Sequence, residues 1–148
     1  MVRKLLKITK MDGLAFTVVA FIFAPLIWWA ADRTPPIDVI RYGLIPKKVA
    51  PGATIYRDIE IIRLRHCETD PDTIMIDGAR VRWNFEEPAI TSPGQLGHDH
   101  YRRPVVIPLQ ASPGQAQMRT TVTYICNPLH RIWPIKLIQK PLEFEIAE

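Results

Sequence analysis

The chain has 148 residues, of which 47% are hydrophobic and 23% are charged, with 14 prolines, seven glycines and two cysteines. This size suits one folded domain with a short appendage, and the composition excludes collagen, a coiled coil and an acidic disordered protein. Much of the formal net charge of +4 lies at the N-terminus, because residues 32 to 148 carry 15 Lys and Arg against 14 Asp and Glu. A nearly neutral folded part lacks a basic face for phosphate, so we expect no nucleic-acid partner.

A run of 19 uncharged residues, 13 to 31, follows a basic tail at residues 1 to 12. As a helix this run spans about 28 Å, close to the hydrocarbon thickness of a bilayer, and it therefore predicts one transmembrane helix. Trp28 and Trp29, at the far end of the run, are typical of the membrane interface. The positive-inside rule then places the basic tail in the cytoplasm and the rest of the chain on the other side.

Residues 32 to 36 contain two consecutive prolines and predict a stiff tether. Beyond them, residues 37 to 148 consist of short apolar runs rich in β-branched residues, separated by turn sequences with Pro, Gly, Asn and Asp. This pattern favours about seven short strands and no helix. We therefore predict an all-β fold, an immunoglobulin-like β-sandwich, preceded by the N-terminal transmembrane helix.

Asp77 and Gly78 separate two of the predicted strands and are typical of a type I′ hairpin turn. Alternation after this turn places Val81, Trp83 and Phe85 on one face, which we expect to lie in the core. The same alternation predicts inward side chains at positions 142, 144 and 146 of the last strand.

Two cysteines, Cys67 and Cys126, lie in the part of the chain that is predicted to face an oxidising compartment, which favours a disulfide between them. Trp83 lies between them in sequence, and Tyr124 lies two residues before the second cysteine. This order is typical of immunoglobulin-type sandwiches. Two buried free thiols are the alternative.

His98 and His100 are the best candidates for a metal site, because two imidazoles at alternate positions of an extended segment point the same way. No further ligand is evident near them, and two solvated loop histidines are the alternative. Glu86 and Glu87 are adjacent and point to opposite faces of a strand, so we interpret them as a polar strand end. Because the chain also lacks a nucleophile elbow and a phosphate-binding glycine loop, we expect no cofactor and no enzymatic activity.

The connection before the last strand, residues 124 to 135, is dense in Pro, aromatic and aliphatic residues. It either closes one end of the core or presents Arg131, Ile132 and Trp133 to a protein partner, since Trp and Arg are enriched in interface hot spots. This segment, with Cys67 upstream and a single N-terminal anchor, resembles small membrane-anchored proteins encoded by bacteriophages and prophages. The resemblance implies a bacterial inner-membrane setting and transfers no site residues.

These features predict a single-pass inner-membrane protein with a periplasmic domain on a short tether. Its partners are expected to be the lipid bilayer and another protein, which the domain binds without catalysis during phage entry, exclusion or lysis. Two alternatives stay open. One is a periplasmic metal-handling module that uses His98 and His100, and the other is a structural membrane protein that forms a homo-oligomer.

Overall fold

The computed structural model describes residues 10 to 91 and 94 to 148. The chain divides between Arg33 and Thr34 into two compact units. The first unit contains a helix, α1 (Lys10–Ala31), and the second is mostly β-structure. Of the predicted basic tail, residues 1 to 9 lie outside the described residues.

The predicted transmembrane helix at residues 13 to 31 is wrong. Among the residues that the structure describes, no helix combines the length and the apolar character that a membrane crossing requires. The localisation in an inner membrane with a periplasmic C-terminal domain depended on this helix and is wrong with it.

Trp28 and Trp29 lie in the last turns of α1, where Trp28 is 77% exposed and Trp29 is partly buried. Pro25 lies inside the same helix. The interface role that the sequence predicted for the two tryptophans required a membrane-spanning helix, and that requirement is not met by α1.

The second unit has nine strands and one short 3₁₀ helix among its described residues. The strands are β1 (Ile37–Ile45), β2 (Lys48–Val49), β3 (Thr54–Arg63), β4 (Glu68–Ile76), β5 (Arg82–Glu86), β6 (Gly97–Val106), β7 (Gly114–Ile125), β8 (Ile135–Ile138) and β9 (Leu142–Ile146). The 3₁₀ helix, Pro128–Arg131, lies between β7 and β8, and the side chain of Asn127 caps it by accepting a hydrogen bond from the backbone N–H of His130.

The strands form two sheets. One has three strands in the order β1-β3-β6, and all of its pairs are antiparallel. The other has six strands in the order β2-β9-β7-β4-β5, with β8 also paired to β7, and only its β2-β9 pair is parallel.

The two sheets pack face to face, because alternate residues of their strands point inward and most of these are apolar. The main core includes Ile55 and Val105 from the small sheet, and Met75, Met118 and Phe144 from the large one. The alternation predicted for the last strand is found, with residues 144 and 146 buried and residue 142 packed against the same core. A smaller cluster around Tyr124 and Ile135 lies at the other end.

The predicted fold class, an immunoglobulin-like ectodomain behind a membrane helix, is wrong. In an immunoglobulin domain the disulfide joins the two sheets and a tryptophan packs against it. Here Cys67 directly precedes β4 and Cys126 directly follows β7, and β4 and β7 are neighbours in one sheet. Trp83 packs against the main core instead, away from the cluster that contains the cysteines. The order of these residues along the chain does not specify which sheet each strand joins.

The loop between β4 and β5 also differs from the predicted two-residue turn. Ile76 pairs with Arg82, so five residues form the connection, and the residue with positive φ is Arg80, at 65°. Trp83 and Phe85 pack against the core as alternation predicts, but Val81 is 47% exposed because it belongs to the loop and not to the strand.

Candidate functional site

Charged side chains lie among the apolar ones on the inner face of the small sheet. Along β3 the inward positions are Ile55, Arg57, Ile59, Ile61 and Arg63. Arg57 is only 2% exposed. Burial of a guanidinium between two sheets costs free energy unless its N–H groups and its charge have partners. The residues around Arg57 must therefore provide such partners.

Arg57 is held by acceptors from the opposite sheet and from the segment after β5. Its Nη1 donates to Oγ1 of Thr73 at 2.9 Å and to Oγ1 of Thr120 at 3.1 Å. Its Nη2 donates to Oε2 of Glu87 at 2.5 Å, and Thr73 donates to Oε1 of the same carboxylate at 2.6 Å. The Nε of Arg57 is buried and has no hydrogen-bond partner among the residues that the structure describes.

Arg103 adds a second cation at the same end of the inner face. It lies opposite Arg57 in the pairing of β3 with β6. Its Nη1 is 3.7 Å from Oε2 of Glu87, and its guanidinium lies 5.6 Å from the ring centre of Tyr101. Two guanidinium groups therefore share one carboxylate. We call Arg57, Arg103 and Glu87 the cationic end.

Arg63 and Asp99 form a second charged group, which we call the balanced end. The Nη2 of Arg63 donates to Oδ2 of Asp99 at 3.1 Å. The Nε of Arg63 is also buried and has no partner in the described part of the chain. One cation faces one anion here, so this end has no excess charge.

A cavity of about 420 Å³ lies between the two sheets, and both charged ends contribute to its lining. This volume falls within the range of about 300 to 1,000 Å³ that is typical of small-molecule sites. Asp99 and Arg103 are 35% and 29% exposed, so the cavity has access to solvent. Its apolar wall is formed by Ile37, Ile59, Ile61, Pro71, Ile90 and Val122.

Two tyrosines contribute neutral polar groups to this cavity. Burial raises the pKa of Tyr101 and of Tyr124, so both phenols stay protonated at physiological pH. They offer hydrogen-bonding hydroxyl groups and ring surface, and they add no negative charge that would repel an anion.

His98 and His100 lie on the outer face of the same sheet and are not part of the cavity lining. His98 Nε2 is 2.8 Å from Oε1 of Glu60, and His100 Nε2 is 3.0 Å from Oδ1 of Asp58. Hydrogen bonds from Arg102 and His100 hold the pKa of Asp58 below its ordinary value, and one from His98 lowers the pKa of Glu60. Each histidine thus has a separate carboxylate partner. No group of three or more metal-ligating residues occurs in the described part of the chain, and the metal-handling alternative is not supported.

The other predicted site residues lie elsewhere on the second unit. Cys67 and Cys126 form a disulfide. Arg131 ends the 3₁₀ helix and donates to Glu68 at 2.9 Å. Ile132 is 85% exposed and Trp133 is 56% exposed. Their role in partner binding stays a prediction.

No family model matches the chain, and no curated protein matches it in sequence. Among solved structures, the chain is similar to the alkylpurine DNA glycosylase AlkC of Pseudomonas fluorescens bound to DNA that contains an abasic site analog. The TM-score is 0.53 at 15% sequence identity, over 83% of this chain and 33% of that one. The chain therefore matches about a third of the length of that enzyme, and the likeness concerns the fold.

This likeness and the helix finding correct several expectations. The predicted function, a non-catalytic membrane protein that binds a protein partner, is wrong, and so are its two alternatives. The expectations of no enzymatic role and no nucleic-acid partner do not agree with the similar structure, which is an enzyme bound to DNA. The resemblance to phage-encoded proteins stays a prediction.

Sequence reasoning missed the cationic end. Glu87 was interpreted as part of a polar strand end, whereas its carboxylate binds Arg57 from 30 positions away. One signal was present, because alternation along β3 places Arg57 on the same face as Ile55, Ile59 and Ile61. A charge on an otherwise apolar face indicates either a buried partner or a ligand.

Proposed function

We propose that the domain of residues 34 to 148 binds an anionic ligand in the cavity between its two sheets. The observation that carries this proposal is the cationic end, where two guanidinium groups face one carboxylate. The Nε of Arg57, a side chain that is 2% exposed, has no partner among the described residues. A buried donor without a partner costs about 1 to 3 kcal/mol. An anion that accepts from it removes that cost and offsets the excess charge.

The chemistry of the cationic end matches a carboxylate or phosphate group. Guanidinium groups are planar and present several N–H donors in a fixed fork, which suits oxygen atoms held in one plane. Thr73, Thr120 and Glu87 already hold the Nη atoms of Arg57, so its orientation is set before a ligand arrives. Such a pre-organised donor loses little side-chain entropy on binding.

Titration of the ¹⁵N-labelled protein with inorganic phosphate and with acetate tests the proposal through the arginine Nε–H resonances. We expect the Nε–H signal of Arg57 to shift saturably. Arg103→Gln should weaken the apparent Kd by at least about tenfold, because a hydrogen bond to a charged group contributes about 1.5 to 3 kcal/mol.

Arg119→Gln is the matched control. Arg119 is exposed on β7, where its Nε donates to Gln117 at 3.0 Å, and it does not line the cavity. At equal ionic strength this variant should keep the wild-type Kd. An unchanged Kd in folded Arg103→Gln protein, or the absence of any saturable shift at Arg57, would contradict the proposal.

Contact with DNA is a second candidate function. The observation that favours it is the likeness of the fold to a DNA glycosylase bound to DNA, over a third of that chain. Fluorescence anisotropy with a labelled duplex, with and without an abasic site analog, tests it. Binding should be saturable and should weaken with salt, with a log–log slope of about −0.9 for each phosphate contact. A folded protein that does not bind either duplex at about 50 mM salt would exclude this function.

A further inference from the structure

The net charge of the cationic end determines how many negative charges of a ligand it can neutralise. Arg57 and Arg103 carry two positive charges, and Glu87 carries one negative charge. One further negative charge therefore brings this end to neutrality. A buried or half-buried site is most stable when its charges are paired, so this end matches a single anionic head group.

The balanced end differs from the cationic end in its charge count, which leaves no positive charge for a second anion. Arg63 already faces Asp99 at 3.1 Å, so another anion there would leave one negative charge in excess. Arg57 and Arg63 are six residues apart on β3, which corresponds to about 20 Å along the strand. A ligand with an anionic group at each end would meet favourable charge at one end only.

The middle of the cavity is apolar on both sides. Ile59 pairs with Tyr101 in the small sheet, and Pro71 pairs with Val122 in the large one. All four line the cavity, together with Ile61 and Ile90. Between the two charged ends there is therefore an apolar wall, whose burial by a ligand contributes about 25 cal/mol for each Å² of apolar surface.

From this arrangement we infer that the ligand is an elongated amphipathic monoanion. Its single carboxylate or phosphodiester group binds at Arg57 and Arg103, and its apolar body lies along Ile59, Pro71 and Val122. This inference rests on the proposed function, since it assigns the class of the anion that the cavity binds. It also excludes small hydrophilic anions and dianions of similar length as the preferred ligands.

Isothermal titration with a series of matched probes tests this inference. The series consists of acetate, octanoate, octyl phosphate, octanol and the dicarboxylate sebacate, all at one ionic strength. A fully buried methylene contributes about fourfold in affinity, so octanoate should bind at least about 30-fold more tightly than acetate. Octanol and sebacate should each bind at least about tenfold more weakly than octanoate, since one lacks the head group and the other has an unpaired second charge. Octyl phosphate carries between one and two negative charges at neutral pH, so it should bind more weakly than octanoate.

Two substitutions separate the head-group contact from the apolar contact. Val122→Thr places a hydroxyl group in the apolar wall and should weaken octanoate binding by at least about threefold with no effect on acetate. Arg103→Gln should weaken both. Val106→Thr, on the exposed face of β6, is the matched control and should leave both affinities unchanged.

The outcomes distinguish this inference from the proposed function. If acetate and octanoate bind equally and both depend on Arg103, the ligand class is wrong while the anion site stands. If octanol binds as tightly as octanoate and Arg103→Gln leaves both affinities unchanged, binding in the cavity does not depend on the charge of the ligand. The inference is then overturned. If no anion in the series binds to the folded protein, both the inference and the proposed function fail.

Discussion

Asp77 is a buried carboxylate whose partners all come from the protein. Its Oδ1 accepts from the backbone N–H of Ala79 and of Val81, and its Oδ2 accepts from Trp83 Nε1 and from the backbone N–H of Ser112, at 2.9 to 3.0 Å. Burial raises the pKa of this group, but the four hydrogen bonds outweigh burial, and the net pKa is lowered. The carboxylate therefore organises the loop between β4 and β5.

We expect Asp77→Asn to lower the free energy of unfolding by about 2 to 4 kcal/mol, because one acceptor oxygen becomes an N–H₂ group that faces two donors. Urea unfolding at pH 7 measures this, and Asp72→Asn, at an exposed position of β4, is the control. The pKa of Asp77 is lower in the folded state than in the unfolded state. The difference in free energy of unfolding between wild type and Asp77→Asn should therefore be complete above the unfolded-state pKa of about 4, and it should shrink as pH falls through the folded-state pKa. A difference in free energy of unfolding that stays constant down to pH 2 would contradict this account.

At the scale of elements, the loop after β4 and the loop before β7 are held against each other. Gly78 donates its backbone N–H to the carbonyl of Ser112 at 3.3 Å. A Cβ at Gly78 would collide with the backbone carbonyl of Pro113. Since neither backbone can move away independently of its strands, the glycine is required for this close approach.

Gly78→Ala should therefore lower the free energy of unfolding by about 1 to 3 kcal/mol, the range that is typical of overpacking. Gly43→Ala is a matched control in β1, because a Cβ there would have nothing within 4 Å. Thermal unfolding of the two variants checks the prediction. Equal melting temperatures would mean that the two loops separate without cost.

At the scale of the whole molecule, the Cys67–Cys126 disulfide closes the ends of β4 and β7 over a sequence separation of 59. In the chain-entropy account, a closed loop of this length stabilises the folded state by about 4 kcal/mol. The bridge joins neighbouring strands at the end of the sheet that carries the smaller core cluster. It therefore supports the end of the domain where the apolar core is smallest.

The double substitution Cys67→Ala and Cys126→Ala should lower the free energy of unfolding by about 2 to 5 kcal/mol. Urea unfolding with and without a reductant measures this, and the reductant should destabilise the wild type while leaving the double variant unchanged. A double variant as stable as the oxidised wild type would show that the unfolded chain is already compact without the bridge.

Much of the local structure could be predicted from sequence. Short β-branched runs between turn residues predicted most of the strands, and alternation predicted that residues 144 and 146 point inward. The position of the charged residue Arg57 on an otherwise apolar face of β3 indicates the site in the sequence itself. The pairing of Arg57 with Glu87 could not be predicted from the sequence, because it depends on how the segment after β5 lies over the small sheet.

The sequence by itself determined which residues form strands, which faces are apolar and which two cysteines were available for a disulfide, since these properties depend on neighbouring side chains and on the period of the strand. Only the tertiary structure decided that β4 and β7 are neighbours in one sheet, and that Arg57 and Arg103 share a single carboxylate. These are contacts between residues that are distant along the chain. The free energy of such contacts depends on which sheet each strand joins, and no local pattern of residues encodes that choice.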